Sequence, residues 1–529
     1  MSRSSTTPVE LVLNNRFLSY LIWQSIPSSL ISLFFISLLP NSSLFSFPLL
    51  LLPFHTLFSA TLSLLSSPHP LRPLSPLQLS STLLRFLFLP SPTPHSPHFR
   101  ARLRLSLTFL LFVTASSASA FASTVSLCGV GPTAHGVWLI GRVGFRGFLI
   151  GTLFGLHYVF KRRWVLAFPI IQRPPFFSFK MGIPSAARRA FKLSIVASLF
   201  SGVFLEVLPH PFNHSIASTG FFKEQIVFSV ATFAIFFSWE LTHHLHWVLH
   251  TKRSIFAPPK GSAAAETNPS EHLLSALEES NPTSLLRYLA YLDLCMVCEN
   301  NVDTWRRAGF FEETGETYKR VISVCLKPLE HLAMKLSEGL GNSVDKPTQL
   351  SNQLSSPSDA RPDLKFVEEL YNFQLYAWCS RTVGSLTACS RKEDKFGVAQ
   401  LSGSNAAVVS TLISCLLAVE NFMGKKTSLQ SPNQLLGPAG IKWATMNSGR
   451  VDVATGKRRS GPVNSKAYAI ADVLKTSIYQ IVTVFHDEML AGAKASLLEK
   501  DWVTSGKPLF GTREMLIQKL RLFLDFRAT

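Results

Sequence analysis

The side chains best able to do chemistry lie near the middle of this 529-residue chain. His243, His244, His246 and His250 fall close together. On a helix His243, His246 and His250 share a face, the placement at which imidazoles can hold a metal ion. Membrane di-iron oxygenases use several such boxes on different segments, whereas the other histidines here are scattered, many of them in Pro-rich stretches. The cluster reads better as interfacial histidines beside Trp239 and Trp247, rings suited to headgroup depth, and no metal ligand is assigned. Cys295 and Cys298 form a C-x-x-C that lacks the second pair a structural zinc site needs and the strand-to-helix setting of a redox motif, so they read as core thiols. Glu206 and Glu240 are the only acids inside apolar runs, and an ionisable group in lipid raises the possibility of transport. Both lie toward the ends of their runs, with no row of partner carboxylates and no broken-helix repeat. There is no P-loop, G-x-G-x-x-G, H-E-x-x-H or nucleophile elbow. No catalytic residue, cofactor or small-molecule substrate is expected, and the chain does not read as an enzyme.

The elements carrying these residues fall into two unlike halves. The chain is 47% hydrophobic with a mean hydropathy of +0.23, which points to a membrane class. Residues 1–253 hold 20 Lys and Arg against four acids, Glu10, Glu206, Glu224 and Glu240, and so carry +16 of the net +19. That split excludes one uniform globular domain. Because the cations flank apolar runs, it also argues against direct nucleic-acid binding. Seven cysteines without framework spacing read as reduced thiols facing cytosol.

A bilayer core of about 30 Å needs about 20 mostly apolar helical residues. Six runs qualify: Phe17 to Leu39, Leu44 to Leu65, Leu105 to Leu127, Val143 to Phe160, Leu193 to Leu208 and Ile226 to Leu249. The fourth and fifth are short, and Arg146 in the fourth is expected to snorkel to the interface. Gln24, Ser25, Pro27, Ser28 and Ser29 should kink the first. Lys and Arg accumulate on the cytosolic side. The connection holding Arg72, Arg85, Arg100, Arg102 and Arg104 and the one holding Lys161, Arg162, Arg163, Arg173, Lys180, Arg188, Arg189 and Lys192 are therefore cytosolic, as are both termini. The sequons at Asn41 and Asn213 fall in loops this scheme makes lumenal and are possible glycosylation sites. In the fourth run Gly147, Gly151 and Gly155 recur every four residues with Gly144 nearby, a surface on which two helix backbones can approach. The small-residue stretch TASSASAFAST of the third run is its natural partner.

After a linker, residues 254–269, the remainder reads as an α-helical cytosolic domain, residues 270–529. Ser270 is expected to cap a helix carrying Leu273, Leu274 and Leu277, and Asn281-Pro282-Thr283 to open the next. Further helices are expected over Glu316 to Leu336, Leu364 to Ala388, Ala406 to Met423, Lys466 to Leu490 and Thr512 to Phe526. Mobile loops are expected near 339–362 and 424–462 from their Ser, Gln, Asn, Gly and Pro content. The last helix has Leu516, Leu520 and Phe523 on one stripe and is expected to pack on its own domain. The fold class is all-α: a six-helix polytopic membrane domain followed by a helical cytosolic domain.

Two stretches and this layout resemble a known family. Phe256 followed by LLSALEESNPTSLLRYLAYLDLCMVC, with Arg306-Arg307 ahead of Phe310-Phe311, and AIADVLKTSIYQIVTVF near the C-terminus are similar to the Ndc-type transmembrane nucleoporins of the nuclear pore membrane ring. The resemblance marks Phe256, Leu289, Ala290, Leu292, Asp293, Leu294, Arg306, Ile478, Tyr479, Val482 and Phe485 as family residues. It implies a multi-pass protein of the pore membrane that anchors scaffold nucleoporins and supports pore assembly. The partners it implies are membrane-ring and inner-ring nucleoporins, an Aladin-type propeller protein and the lipid bilayer. The rival readings are a polytopic transporter and a His-box membrane enzyme.

Overall fold

Long apolar helices fill the first half of the chain and shorter amphipathic ones the second. A computed structural model describes residues 8–38, 46–88, 97–128, 134–207, 219–341, 370–429, 462–494 and 498–528. Among these, helices account for nearly all regular structure, there is no strand, and an isolated parallel bridge joins Ser67 and Val165. The chain divides into two compact units: residues 1–254 with 281–286, and residues 255–280 with 287–529.

The first unit contains α1 (Pro8–Leu38), α2 (Ser46–Leu65), α3 (Pro76–Phe88), α4 (Pro97–Leu127), α5 (Ala134–Phe160), α6 (Pro175–Val207) and α7 (Thr219–Thr251). Several helices outrun the apolar runs that predict them. At 1.5 Å per residue, the 33 residues of α6 reach about 50 Å, and the short fifth run is the C-terminal half of this longer helix. Lys180, Arg188, Arg189 and Lys192 lie on α6 and not in a loop, because Pro175 fixes the first helical φ and the AARRAFK stretch favours helix. α3 also stands where only a connection was expected. Ser75 and Gln78 form a reciprocal cap: the Gln78 N–H donates to Ser75 Oγ at 3.3 Å and the Ser75 N–H to Gln78 Oε1 at 3.4 Å, with Pro76 between them.

An aromatic core lies where α2, α4, α5 and α7 meet. Phe58 stacks on Trp239 with centroids 4.5 Å apart, and Phe154 meets the same indole edge-on at 4.8 Å. Trp239 is therefore interior, which corrects its expected place at headgroup depth. α1 runs antiparallel to α7. Its polar positions 16, 20 and 28 share one face and meet 250, 246 and 238. Arg16 Nη1 donates to the Leu249 carbonyl at 3.0 Å, the Tyr20 ring meets His246 at 4.9 Å, and Ser238 Oγ donates to Ser28 Oγ at 3.2 Å. Ser28 in turn bonds His55 Nε2 of α2 at 2.7 Å.

The second unit begins with α8 (Ala263–Thr267), α9 (Glu271–Glu278), α10 (Leu285–Glu299), α11 (Thr304–Ala308) and α12 (Glu316–Gly341). It continues with α13 (Phe373–Glu393), α14 (Val398–Leu401), α15 (Ser404–Leu429), α16 (Pro462–Val484), α17 (His486–Lys494), α18 (Leu498–Trp502) and α19 (Arg513–Ala528). Ser270 does not cap α9: its backbone is αR and its hydroxyl makes no capping bond. The helix expected over Lys466 to Leu490 breaks at Phe485, whose ring is buried against Trp502 at 5.1 Å. α15 is the central helix. Val408, Leu412, Ile413, Leu416 and Val419 are buried, and Glu420 at its far end accepts from Lys475 of α16 at 3.2 Å and Lys519 of α19 at 2.8 Å.

Among the described residues five helices are long and apolar enough to cross a membrane: Leu11–Phe35, Phe99–Leu127, Gly141–Phe160, Glu224–Thr251 and Ser404–Gly424. Four belong to the first unit. The fifth is α15, apolar all round because neighbouring helices cover it. α2 and α6 are not among the five, so six crossings remain a proposal.

Candidate functional site

The residues of the first stretch that the resemblance singles out converge on one buried clamp in the second unit. Asp293 sits mid-way along α10 and Arg306 on α11, both buried. Arg306 Nη2 donates to Asp293 Oδ2 at 2.7 Å and to the Phe256 carbonyl at 3.1 Å, while Asp293 Oδ2 also accepts the Phe256 N–H at 3.0 Å. Both backbone groups of Phe256, close to the end of the linker-side boundary at Ser254, are thus held by one ion pair. Desolvating such a pair is costly, and it is tolerated here because its lone pairs and protons are bonded. Leu289, Ala290, Leu292 and Leu294 are buried around it. These residues hold the fold and leave nothing on the surface for a partner.

Two further arginines tie α10 and α11 to α13. Arg307 Nε donates to Glu393 Oε2 at 2.8 Å and its Nη1 to the Cys298 carbonyl at 3.1 Å, and Glu393 raises the Arg307 pKa above its ordinary value. Arg381 pairs with both oxygens of Glu299. Sequence reasoning passed over Arg307–Glu393 and Arg381–Glu299, since partners more than 80 positions apart leave no spacing signal. All seven cysteines are free. Burial pushes the Cys298 thiol well above its ordinary range, which fits an inert core thiol.

The second stretch lies on α16. Ile478, Val482 and Phe485 are buried, whereas Tyr479 is 40% exposed. Ser477 abuts Gly384 of α13 so closely that a methyl group on that glycine would lie 2.9 Å from Ser477 Cβ. The opposite face of α16 presents Tyr468, Asp472, Thr476 and Tyr479, all exposed and spaced three or four apart, so they form one stripe. Tyrosines are enriched where proteins meet proteins. The loops expected to be mobile are only partly described: α12 runs to Gly341 and α15 to Leu429, and residues 342–369 and 430–461 lie outside the described residues.

In the first unit the glycines of α5 face α4. A methyl group on Gly151 would lie 2.7 Å from Ala120 Cβ, one on Gly155 2.7 Å from Ser116 Oγ, and one on Gly147 would strike Thr124 Oγ1. Gly144 abuts the Phe121 ring. Ser117 and Thr152 hydrogen-bond across the same contact at 2.8 Å. Arg146 does not snorkel. It is buried, lies 3.7 Å over the Phe228 ring centroid, and pairs with Glu224 at 3.5 Å, which Arg142 also approaches at 3.6 Å. Glu240 is not within reach of water either: its buried carboxylate takes both guanidinium arms of Arg163. An acid-poor half leaves each buried carboxylate one obvious job, and that scarcity was the signal available in the sequence. The side chain of Glu206 lies outside the described residues, as do Asn41 and Asn213.

The histidines are spent on packing. His243 Nδ1 bonds the Tyr158 hydroxyl at 3.0 Å, His244 Nε2 the Ser178 carbonyl at 3.1 Å, and His246 stacks on His250 at 3.9 Å. His246 and His250 are buried, which corrects the interfacial reading for them. No group of three or more His, Cys, Asp or Glu among the described residues is placed to hold a metal.

Comparison with known proteins places one part of the chain. No curated protein matches it. Residues 365–490 match the family model of the nucleoporin protein Ndc1-Nup, a segment that contains the α16 stretch and excludes the Phe256–Asp293–Arg306 clamp.

Proposed function

We propose that this Ndc1-type transmembrane nucleoporin is a structural anchor: its first unit crosses the nuclear pore membrane six times and its second unit, on the cytosolic and pore side with both termini, holds scaffold nucleoporins. The observation that carries the reading is the position of the matched segment, residues 365–490. Within it α16 buries Ile478 and Val482, with Phe485 buried just past its end, and turns outward the stripe Tyr468, Asp472, Thr476 and Tyr479. A rigid helical body presenting two tyrosines suits a protein partner better than a small substrate. Membrane-ring and inner-ring nucleoporins and the Aladin-type propeller protein are the partners assigned to it, with pore assembly as the process served. The α4–α5 glycine contact is assigned the role of holding the membrane helices together, because in lipid close backbone approach takes the place of the hydrophobic drive.

A transport reading would need Glu240 free to titrate or bind cargo, and Arg163 occupies it. A His-box enzyme would need histidines directed at an open site, and theirs are directed at Tyr158, Ser178 and each other.

The test is affinity purification of the tagged full chain, wild type against Tyr468→Ala with Tyr479→Ala. Wild type should recover nucleoporins, and the double variant should lose most of them while its melting temperature stays unchanged. Equal recovery from both would refute the α16 stripe as the contact. Recovery of no nucleoporin by the wild type would refute the scaffold role itself.

A further inference from the structure

Four helices of the first unit bring polar side chains to one small interior cavity. Ser32 of α1, His55 of α2, Ser123 of α4 and Ser238 of α7 line it, with Ile235 and Trp239 among its apolar walls. All four polar residues are more than nine-tenths buried. The cavity leaves the centre of a water-sized molecule about 20 Å³, where a water needs about 10–15 Å³. One water fits, or two in contact, and nothing much larger.

Hydroxyls on helices ordinarily turn back to a carbonyl three or four residues earlier. On α4 Ser116 Oγ donates to the Phe112 carbonyl at 2.9 Å, Ser117 Oγ to Val113 at 2.8 Å and Thr124 Oγ1 to Ala120 at 2.8 Å. The Ser32 and Ser123 hydroxyls make no hydrogen bond among the described residues, although both residues line the cavity. His55 is half satisfied. Its Nε2 bonds Ser28 Oγ at 2.7 Å, and Ser28 Oγ also accepts from Ser238 Oγ at 3.2 Å. A Ser28 hydroxyl that accepts from Ser238 has its own proton to give to Nε2, which puts the ring's proton on Nδ1. Nδ1 has no partner among the described residues.

We propose that this cavity is a binding site for water: one or two molecules accept the His55 Nδ1–H and bond Ser32 Oγ and Ser123 Oγ. An N–H and two hydroxyls unpaired in an apolar interior are costly, and a single water has enough donors and acceptors to meet all three. A metal cation suits the site poorly, because no carboxylate lines it, and a hydrocarbon tail would leave the three groups unmet. Ser238, Ser28, His55 and the water then form one connected network that ties α1, α2, α4 and α7 together. The inference goes beyond the nucleoporin role and rests only on the packing of the first unit.

The test is solid-state NMR on the full chain in phosphatidylcholine bilayers, with 15N-labelled histidine and magnetisation transferred from water. The His55 resonances are assigned by their loss in His55→Asn. A neutral His55 ring protonated on Nδ1 is expected, with that N–H receiving transfer from water. Ser123→Val replaces a cavity hydroxyl by two methyl groups and should reduce the transfer to background. Thr232→Val removes an equally buried hydroxyl that bonds its own helix at 2.8 Å outside the cavity and should leave the transfer unchanged. A wild-type His55 that receives no magnetisation from water, or carries its proton on Nε2, would overturn the proposal whether or not either variant folds. Transfer that survives Ser123→Val, or is lost equally in Thr232→Val, would overturn it as well.

Discussion

The two units differ most in what they turn outward. In the first, the interior holds Gln24, Ser28, His55, Thr242, Glu240 and His246, while Leu18, Ile22, Trp23, Leu30 and Phe34 of α1 lie half or more exposed. Among the described residues, 33 of the exposed large hydrophobics belong to the first unit and ten to the second. The second unit packs Leu, Val, Ile and Cys inside and turns its charges out, apart from the bonded arginines. The contrast teaches that hydrophobicity alone does not say where a helix belongs. α15 and α4 are about equally apolar by composition. α15 is wrapped by helices of its own unit, whereas α1 and α4 expose leucines that only lipid can cover.

Breaking the buried pairs should produce the largest effects. Arg306→Ala strands Asp293 and frees Phe256, and is expected to cost about 3–5 kcal/mol, read as the loss of the second unit's unfolding transition in the purified full chain. Arg163→Ala should be of the same order for the first unit, since Glu240 has no comparable partner; a cheap Arg163→Ala would mean that water reaches this carboxylate and would blur the contrast between the units.

An aspartate on each outer surface measures the contrast directly. Ile22→Asp, on a face assigned to lipid, should cost about 2.5–3.5 kcal/mol in membrane insertion. Leu401→Asp, at a still more exposed position of the second unit, should stay within about 0.5 kcal/mol. Insertion efficiency in microsomes reads the first and thermal denaturation the second, and equal effects would remove the basis for treating the units as differently solvated. Gly151→Leu drives a side chain into Ala120 and Ser116 of α4 and should cost about 1–3 kcal/mol, seen as a lower melting temperature in detergent, while Gly141→Leu, which meets nothing nearby, should be neutral.

Much of the architecture was readable in advance because helical periodicity is a local signal. The all-α class and most helices of both units came from apolar spacing and cap residues, and the four-residue glycine step pointed α5 at α4. What could not be read needed a distant partner. Arg146 looks like a residue that must escape to the interface until Glu224 and Phe228 are beside it, and Trp239 looks interfacial until Phe58 covers it. α3 was hidden because its cap, Ser75 with Gln78, lies in a Pro- and Ser-rich run that reads as loop. The family residues were recognisable as a pattern, but their burial, which separates fold-holding Asp293 and Arg306 from the exposed Tyr479, depends on tertiary packing.

The smallest expected effect lies on the surface of the second unit. Arg320 donates to Glu278 at 2.8 Å and to Glu271 at 3.1 Å, and the Arg320 hydrogen bond holds the Glu278 carboxyl below its ordinary value. A depressed carboxylate adds stability above the unfolded pKa of about 4.3 and loses it as pH falls through the lower folded value. Because the pair is solvent-exposed, the contribution should be under about 1 kcal/mol. Arg320→Ala should lower neutral-pH stability by under about 1 kcal/mol, leave stability below the folded pKa unchanged, and so flatten that acid limb of the stability curve.

In the proposed role a lipid-covered first unit fixes a nucleoporin platform at the pore membrane. Imaging the fluorescently tagged full chain in intact cells, beside a pore marker, tests it most directly. A punctate nuclear rim coincident with pores and resistant to detergent-free washing is expected; an even reticular or soluble distribution excluded from pores would overturn the proposed role.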